Sequence, residues 1–369
     1  MKFSCEKYLL QNACAIASRA IASKSPIPTL EGLLLEAGDD LKITGYDLKK
    51  GIYTLIAADI AQRGSLVVNS RLFNEIIRKL PDGIVQIQSD GLALNVKCGK
   101  SDFNIMGLSP EDFPELPEVD AENTVSLPQG ILRSMIDQTI FAVADNDIRP
   151  IYTGTLFEVG ETELTLVSVD GYRLAKRVEK LDRTGSKPCS FVVPGSALND
   201  IERICAETEE PVGISVGKKH ISFAIGDTVV VTRRLEGEFL NYRKSIPENF
   251  RHILTVKRTD FMAVIDRVSL IVSEKNSSPV HLFLQEGAIE CFCVTPVGKA
   301  EDQCLCDGSG EGLEIGFNDR YLMDALKAAG KDKLFFCVNT ASSPCVLKAA
   351  DGSDNFTYMI LPVRLRASD

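Results

Sequence analysis

Apolar positions along the chain switch repeatedly between a helical and an alternating period. Residues 7–23 carry Leu9, Ala13, Ile16 and Ala20 at helical spacing, the stripe of an amphipathic helix. Residues 129–143 place Leu132, Met135, Ile136, Ile140 and Val143 on one side, and residues 259–272 do the same with Phe261, Val264, Ile265 and Val268. A short β-rich run precedes each helix, at 1–5, 123–127 and 253–256. A hairpin is predicted after each. Residues 32–36 turn at Gly38 into 41–47, 154–158 turn at Gly160 into 164–170, and 281–284 turn at Glu286-Gly287 into 288–294.

A second helix then starts in each copy, at 69–77, 194–202 and 318–326. Asn69 and Asn318, or the adjoining Ser70 and Asp319, can cap its free amides. Phe73, Leu198 and Leu322 fall in the same place, 125 and 124 residues apart. Further strands are predicted at 84–87, 92–96, 220–223, 229–233, 334–338 and 358–361. The segment from Leu108 to Pro114 is similar to that from Leu235 to Leu240, and polar, proline-bearing connections follow at 115–122 and 242–249. The chain is therefore a tripled α+β unit. Each copy has two helices covering antiparallel sheets, with boundaries expected at 1–121, 122–246 and 247–369.

The length of 369 residues suits two or three cores. No apolar run reaches a membrane span, and the polar residues Glu6, Lys7, Gln11 and Asn12 do not fit a signal peptide. The 11 scattered cysteines argue against a disulfide framework and for a reducing cytoplasm. The formal net charge of −10 disfavours a coat of nucleic acid, but a local basic surface remains compatible with it.

Catalytic constellations are missing from the sequence. His220, His252 and His281 lie far apart, and no G-x-S-x-G, H-E-x-x-H or C-x-x-C occurs. Residues 213–219 lack the spacing and the Ser or Thr of a phosphate loop. Cys291-Phe-Cys293 and Cys304-Leu-Cys306 could make a thiolate set, but alternate strand positions share a face, so we read burial and no metal. The acid pairs Asp39-Asp40 and Glu209-Glu210 read as solvated turns, so no enzyme and no cofactor are expected.

Four segments within this triplication carry a resemblance. They are Pro28-Thr-Leu-Glu-Gly-Leu-Leu34, Glu111-Asp-Phe-Pro114, Val169-Asp-Gly-Tyr-Arg-Leu174 and Tyr358-Met-Ile-Leu-Pro-Val-Arg-Leu365. In this order, over the whole length, the chain resembles the β subunit of DNA polymerase III, the bacterial sliding clamp. The resemblance implies a non-catalytic processivity factor. It implies a head-to-tail homodimer whose six domains close a ring around double-stranded DNA, with Phe103 and Ile105 of one subunit meeting Leu270 and Ile271 of the other. It further implies DNA contacts at Lys24, Asn146, Pro150 and Ile151.

A ring that slides should touch phosphates rather than bases. The helices offer Lys7, Arg19, Arg71, Arg78, Lys79, Arg133, Arg203, Arg258, Arg267, Arg320 and Lys327 for this. The resemblance also implies a peptide groove for the replicative polymerase, the clamp loader and other clamp-motif proteins. Its residues are Tyr152, Val169, Gly171, Tyr172, Arg173, Leu174, Leu240, Lys244, Asn318, Tyr321, Met359, Ile360, Leu361, Pro362, Val363, Arg364 and Leu365. Tyr172 replaces a histidine common in the family. The competing reading is a peptide-binding scaffold that does not act on DNA.

Overall fold

The computed structural model describes residues 1–145, 149–181, 187–272, 278–353 and 355–365. The chain forms two compact units, one built mainly from Met1–Arg133 and Ser196–Arg234, the other from Ser134–Thr184, Pro188–Gly195 and Leu235–Asp369. Among the described residues all strand pairs are antiparallel.

The first unit holds a five-stranded sheet in the order Asp59–Gln62, Lys2–Glu6, Ile84–Asp90, Ala93–Cys98 and Ser101–Met106. It also holds an eight-stranded sheet: Asn123–Pro128, Pro211–Val216, His220–Ile225, Thr228–Arg233, Lys50–Ile56, Leu41–Tyr46, Gly32–Ala37 and Gly64–Asn69. Helices α1 (Lys7–Ala17) and α2 (Ser70–Lys79) pack on each other, and Leu10, Phe73 and Ile77 close a core with Leu33, Ile43 and Val85. Gly45 allows α1 this close to the sheet, since a Cβ there would lie 2.1 Å from the Ala17 carbonyl oxygen. Asn69 caps α2 by accepting from the Leu72 amide at 2.9 Å, as the sequence predicts.

The second unit is organised around a ten-stranded sheet. Its order is Cys189–Pro194, Gly154–Val159, Glu163–Val169, Arg173–Lys180, Phe356–Ile360, Cys345–Ala349, Lys333–Val338, His252–Lys257, Gly298–Phe317 and Val280–Thr295. Helices α3 (Gln129–Ile140) and α4 (Gly195–Ile204) belong to the second repeat, α5 (Arg258–Val268) and α6 (Asp319–Ala328) to the third. Phe261, Val264, Ile265 and Leu322 enter a core with Phe317, Phe336 and Tyr358. Phe73, Leu198 and Leu322, the equivalent positions of the three repeats, are all fully buried.

Two junctions join successive repeats by main-chain ladders. Thr228–Arg233 pairs with Lys50–Ile56, and Arg173–Lys180 pairs with Phe356–Ile360. Each repeat also carries one isolated bridge at the matching place: Val67 with Leu108, Val192 with Leu235, and Gly316 with Val363. The likeness of the segments beginning at Leu108 and Leu235 thus has a hydrogen-bonded basis.

Two local expectations are corrected. The first helix stops at Ala17 and passes into a 3-10 turn at Ser18–Ala20; its buried face is Leu10, Ala13, Cys14 and Ala17, while Leu9 and Ile16 are half-buried. Ala17 on this face makes the close approach to Gly45. The third hairpin does not turn at Glu286-Gly287. Val280–Thr295 is one 16-residue strand, irregular around those residues, and its partner is Gly298–Phe317. Gly287, at φ +74°, accommodates a bulge rather than a reversal.

Candidate functional site

The Val169-to-Leu174 segment forms the turn between the strands Glu163–Val169 and Arg173–Lys180. Asp170 accepts hydrogen bonds from the Tyr172 and Arg173 amides at 2.9 and 3.0 Å and fixes a tight turn. Gly171 sits there at φ +92°, a left-handed position that favours glycine. Nothing lies within 4 Å of a Cβ built on it, so backbone conformation, and not close approach, accounts for this glycine. The turn leaves Tyr172 61% exposed, stacked on Tyr321 with ring centroids 6.0 Å apart.

Tyr152, Val169, Leu174 and Met359 are buried in one apolar cluster. Leu174 is fully buried. The exposed apolar surface comes from Leu240, Leu361 and Val363, each 37% exposed. The Leu361 amide donates to the Tyr172 carbonyl and the Val363 amide to that of Gly316, both at 2.8 Å, which ties down the C-terminal strand end. Pro362 lies between them, half-buried like Leu365, while Ile360 is buried.

Sequence reasoning missed Phe239, Tyr242 and Glu158. Phe239 meets Tyr152 edge-on at 5.5 Å between ring centroids. Tyr242 donates to Glu158 at 2.5 Å, and Arg243 grips the same carboxylate at 3.0 and 2.7 Å. Burial and that bond push the Tyr242 hydroxyl well above its usual range. These contacts hold the turn Tyr242–Lys244, and so position Leu240 and exposed Lys244. The aromatic residues flanking Leu240 were the available signal.

The two groove arginines differ. Arg173 is committed internally: Nε to Asp170 at 2.8 Å, Nη1 to Asp324 at 2.6 Å, and its guanidinium 4.5 Å from the Tyr321 ring centroid. It holds the turn and the tyrosine in place. Arg364 is exposed and has no ion-pair partner among the described residues. Asn318 uses its side-chain oxygen to cap α6, accepting from the Tyr321 amide at 3.2 Å.

Most basic candidates of the first unit lie on exposed positions. Arg71, Arg78 and Lys79 occupy the solvent side of α2, with Arg78 bonded to Glu75 at 2.7 and 2.9 Å. Lys24 is exposed in the bend after α1, and Arg203 is exposed near the end of α4. Arg133 is half-buried, 3.4 Å from Glu207. Asn146 lies outside the described residues. Pro150 is exposed and Ile151 is buried. In the second unit, Arg258 bonds the Lys331 carbonyl at 2.8 Å and is occupied with its own fold.

Phe103 and Ile105 stand on Ser101–Met106, which among the described residues pairs only with Ala93–Cys98 and forms a sheet edge. Phe103 is 39% exposed there and Ile105 is half-buried. Leu270, 79% exposed, and half-buried Ile271 sit in the 3-10 turn Ser269–Ile271. Cys291, Cys293 and Cys304 are buried and Cys306 is half-buried. Burial raises all four thiols, Cys304 to about 11, which opposes thiolate formation. No cluster of three or more potential metal ligands occurs among the described residues, and no helix among them is long and apolar enough to cross a membrane.

Three domain models of the DNA polymerase III beta subunit match in succession. The N-terminal domain covers residues 1–117, the central domain 126–241 and the C-terminal domain 243–364. The beta sliding clamp of Bacillus subtilis (strain 168) is 30% identical, over 99% of this chain and all of the relative. The crystal structure of the DNA polymerase sliding clamp from Bacillus subtilis superposes with a TM-score of 0.94 at 30% identity, covering 99% of this chain and 100% of that one. A putative DNA polymerase III beta subunit from Eubacterium rectale gives 0.93 at 32%, covering 98% and 99%. The fold of three repeated clamp domains and the order of their motifs agree throughout: the chain belongs to the DNA polymerase III beta subunit family.

Proposed function

We propose that this chain is a sliding clamp: a non-catalytic homodimer that closes head to tail around duplex DNA in the cytoplasm and holds the replicative polymerase on its template. The observation that carries this reading is the succession of three clamp-domain matches along a single chain of clamp fold. The domains are assigned to 1–121, 122–246 and 247–369. The open edge bearing Phe103 and Ile105 of one subunit would meet Leu270 and Ile271 of its partner. A heterologous contact used twice in this way closes a ring without a leftover patch.

Lys24, Arg71, Arg78, Lys79, Arg133, Asn146 and Arg203 would face phosphates through mobile side chains, giving grip without sequence preference. The groove around Leu240, Leu361 and Val363 would take short linear motifs from the polymerase, the clamp loader and other clients, with apolar side chains supplying most of the affinity. Lys244 and Arg364 add positive charge beside it.

Retention on nicked circular DNA tests the reading. Loaded protein should stay on the circle through gel filtration and leave when a restriction enzyme opens it. Equal loss from circular and linearised DNA would refute topological linkage.

A further inference from the structure

The first unit carries a second groove, beside the segment that follows the Val67–Leu108 bridge. After Pro110–Asp112 the chain crosses the face of the eight-stranded sheet opposite α1. It is anchored by Phe113, buried with Leu30, Tyr46 and Val67. Between this segment and the sheet lies a groove of about 1350 Å³. That exceeds the roughly 300–1,000 Å³ of small-ligand pockets and suits a length of polypeptide.

The floor mixes apolar Leu34, Tyr53, Leu55 and Val229 with Thr44, Ser65 and Ser222, and Leu116 stands on the crossing segment. Leu55 is 39% exposed. The rim is acidic. Glu111, Glu115 and Glu118 line it and have no ion-pair partner among the described residues. Lys42, the one basic residue among the described lining residues, is already matched by Glu36 at 3.2 Å and lies over the Tyr53 ring. The first groove has the opposite character, with Lys244 and Arg364 exposed beside it.

We propose that this groove docks an extended, lysine- or arginine-rich segment of a partner protein that inserts one or two large apolar side chains. The unpaired carboxylates draw the cations, and Leu55 and Tyr53 receive the anchors. Nucleic acid is repelled by the same rim. Because the two grooves differ in charge, clients of opposite charge would not compete for one site.

The test uses the full chain and the fluorescein-labelled peptide Arg-Lys-Leu-Phe-Lys-Arg, titrated by anisotropy. Controls are Arg-Lys-Ser-Ser-Lys-Arg and Glu-Asp-Leu-Phe-Glu-Asp. Both should bind about tenfold more weakly or worse. Glu111→Lys/Glu115→Lys/Glu118→Lys should weaken the first peptide about tenfold. Leu55→Asp should do so to a similar extent although it adds negative charge, which separates docking from simple attraction to an acidic chain. Leu361→Asp, in the other groove, should leave this binding unchanged. Circular dichroism confirms that each variant is folded. Failure of the first peptide to bind, equal binding of the serine control, or indifference to both rim and floor variants overturns the proposal. So does a concentration-dependent sedimentation shift abolished by the triple variant, which would assign the groove to a second copy of the chain.

Discussion

Removing one carboxylate, Asp200→Leu, should destabilise the first unit more than any exposed ion pair could. Lys50 on the Lys50–Ile56 strand is hydrogen-bonded to Asp200 on α4, and their side chains are only 10% and 12% exposed. Arg19, at 3.6 Å from the other carboxylate oxygen and 33% exposed, completes a cation–anion–cation set. Asp200→Leu therefore strands one nearly buried ammonium, at a cost of about 3–5 kcal/mol. Lys50→Met leaves Asp200 with Arg19 still in reach, so the destabilisation should be smaller, about 1–3 kcal/mol. Lys50→Met/Asp200→Leu removes both charges and should return to within about 2 kcal/mol of the parent, because an apolar pair of similar volume replaces a buried ion pair with little net change. Global melting of a chain with several domains is not two-state, so the readout is amide exchange of α4 and the Lys50–Ile56 strand. An Asp200→Leu cost below about 1 kcal/mol, the range of a solvated pair, would refute the reasoning. So would a double variant no better than that single one.

Reversing Arg71, Lys79 and Arg203 to glutamate should lower the salt dependence of binding to short linear duplexes by about 0.9 log–log unit for each phosphate no longer neutralised, measured by anisotropy across a salt series. Leu361→Asp/Val363→Asp should weaken docking of a clamp-motif peptide by about tenfold or more without shifting the thermal melt, since both side chains are already part-exposed. A thiol reagent applied to native protein should label Cys189 and Cys306 first, by peptide mapping, and reach the nine buried thiols only on unfolding.

Periodicity made the triplication legible because each repeat must bury its own helix stripe, and Phe73, Leu198 and Leu322 mark that burial at constant spacing. Of the alternative caps the sequence offers, Asn69 and Asn318 are used, and capping depends only on neighbours a few residues away. Non-local features were less legible. The bulge at Glu286-Gly287 and a tight turn share the same residue types, and only the partner strand distinguishes them. Leu174 and Leu361 look alike in sequence, yet one is buried and the other part-exposed, a difference set by which face of the sheet is covered. The Arg173–Asp324 bond spans 151 residues, so no local pattern records it. The acid-rimmed groove depends on a connection folding back over a sheet, which no local pattern records.

The ladders that join successive repeats make covalent continuity partly redundant. Thr228 through Thr232 zip onto Thr54 through Lys50, so a protease cut in the connection between those repeats would leave the pieces hydrogen-bonded edge to edge. Arg173 through Arg177 hold Ile360 through Phe356 in the same manner at the second junction. A nicked molecule should thus migrate intact on a native gel and fall into fragments only in detergent, and the gene could be divided at either connection and its products reassembled by strand pairing alone.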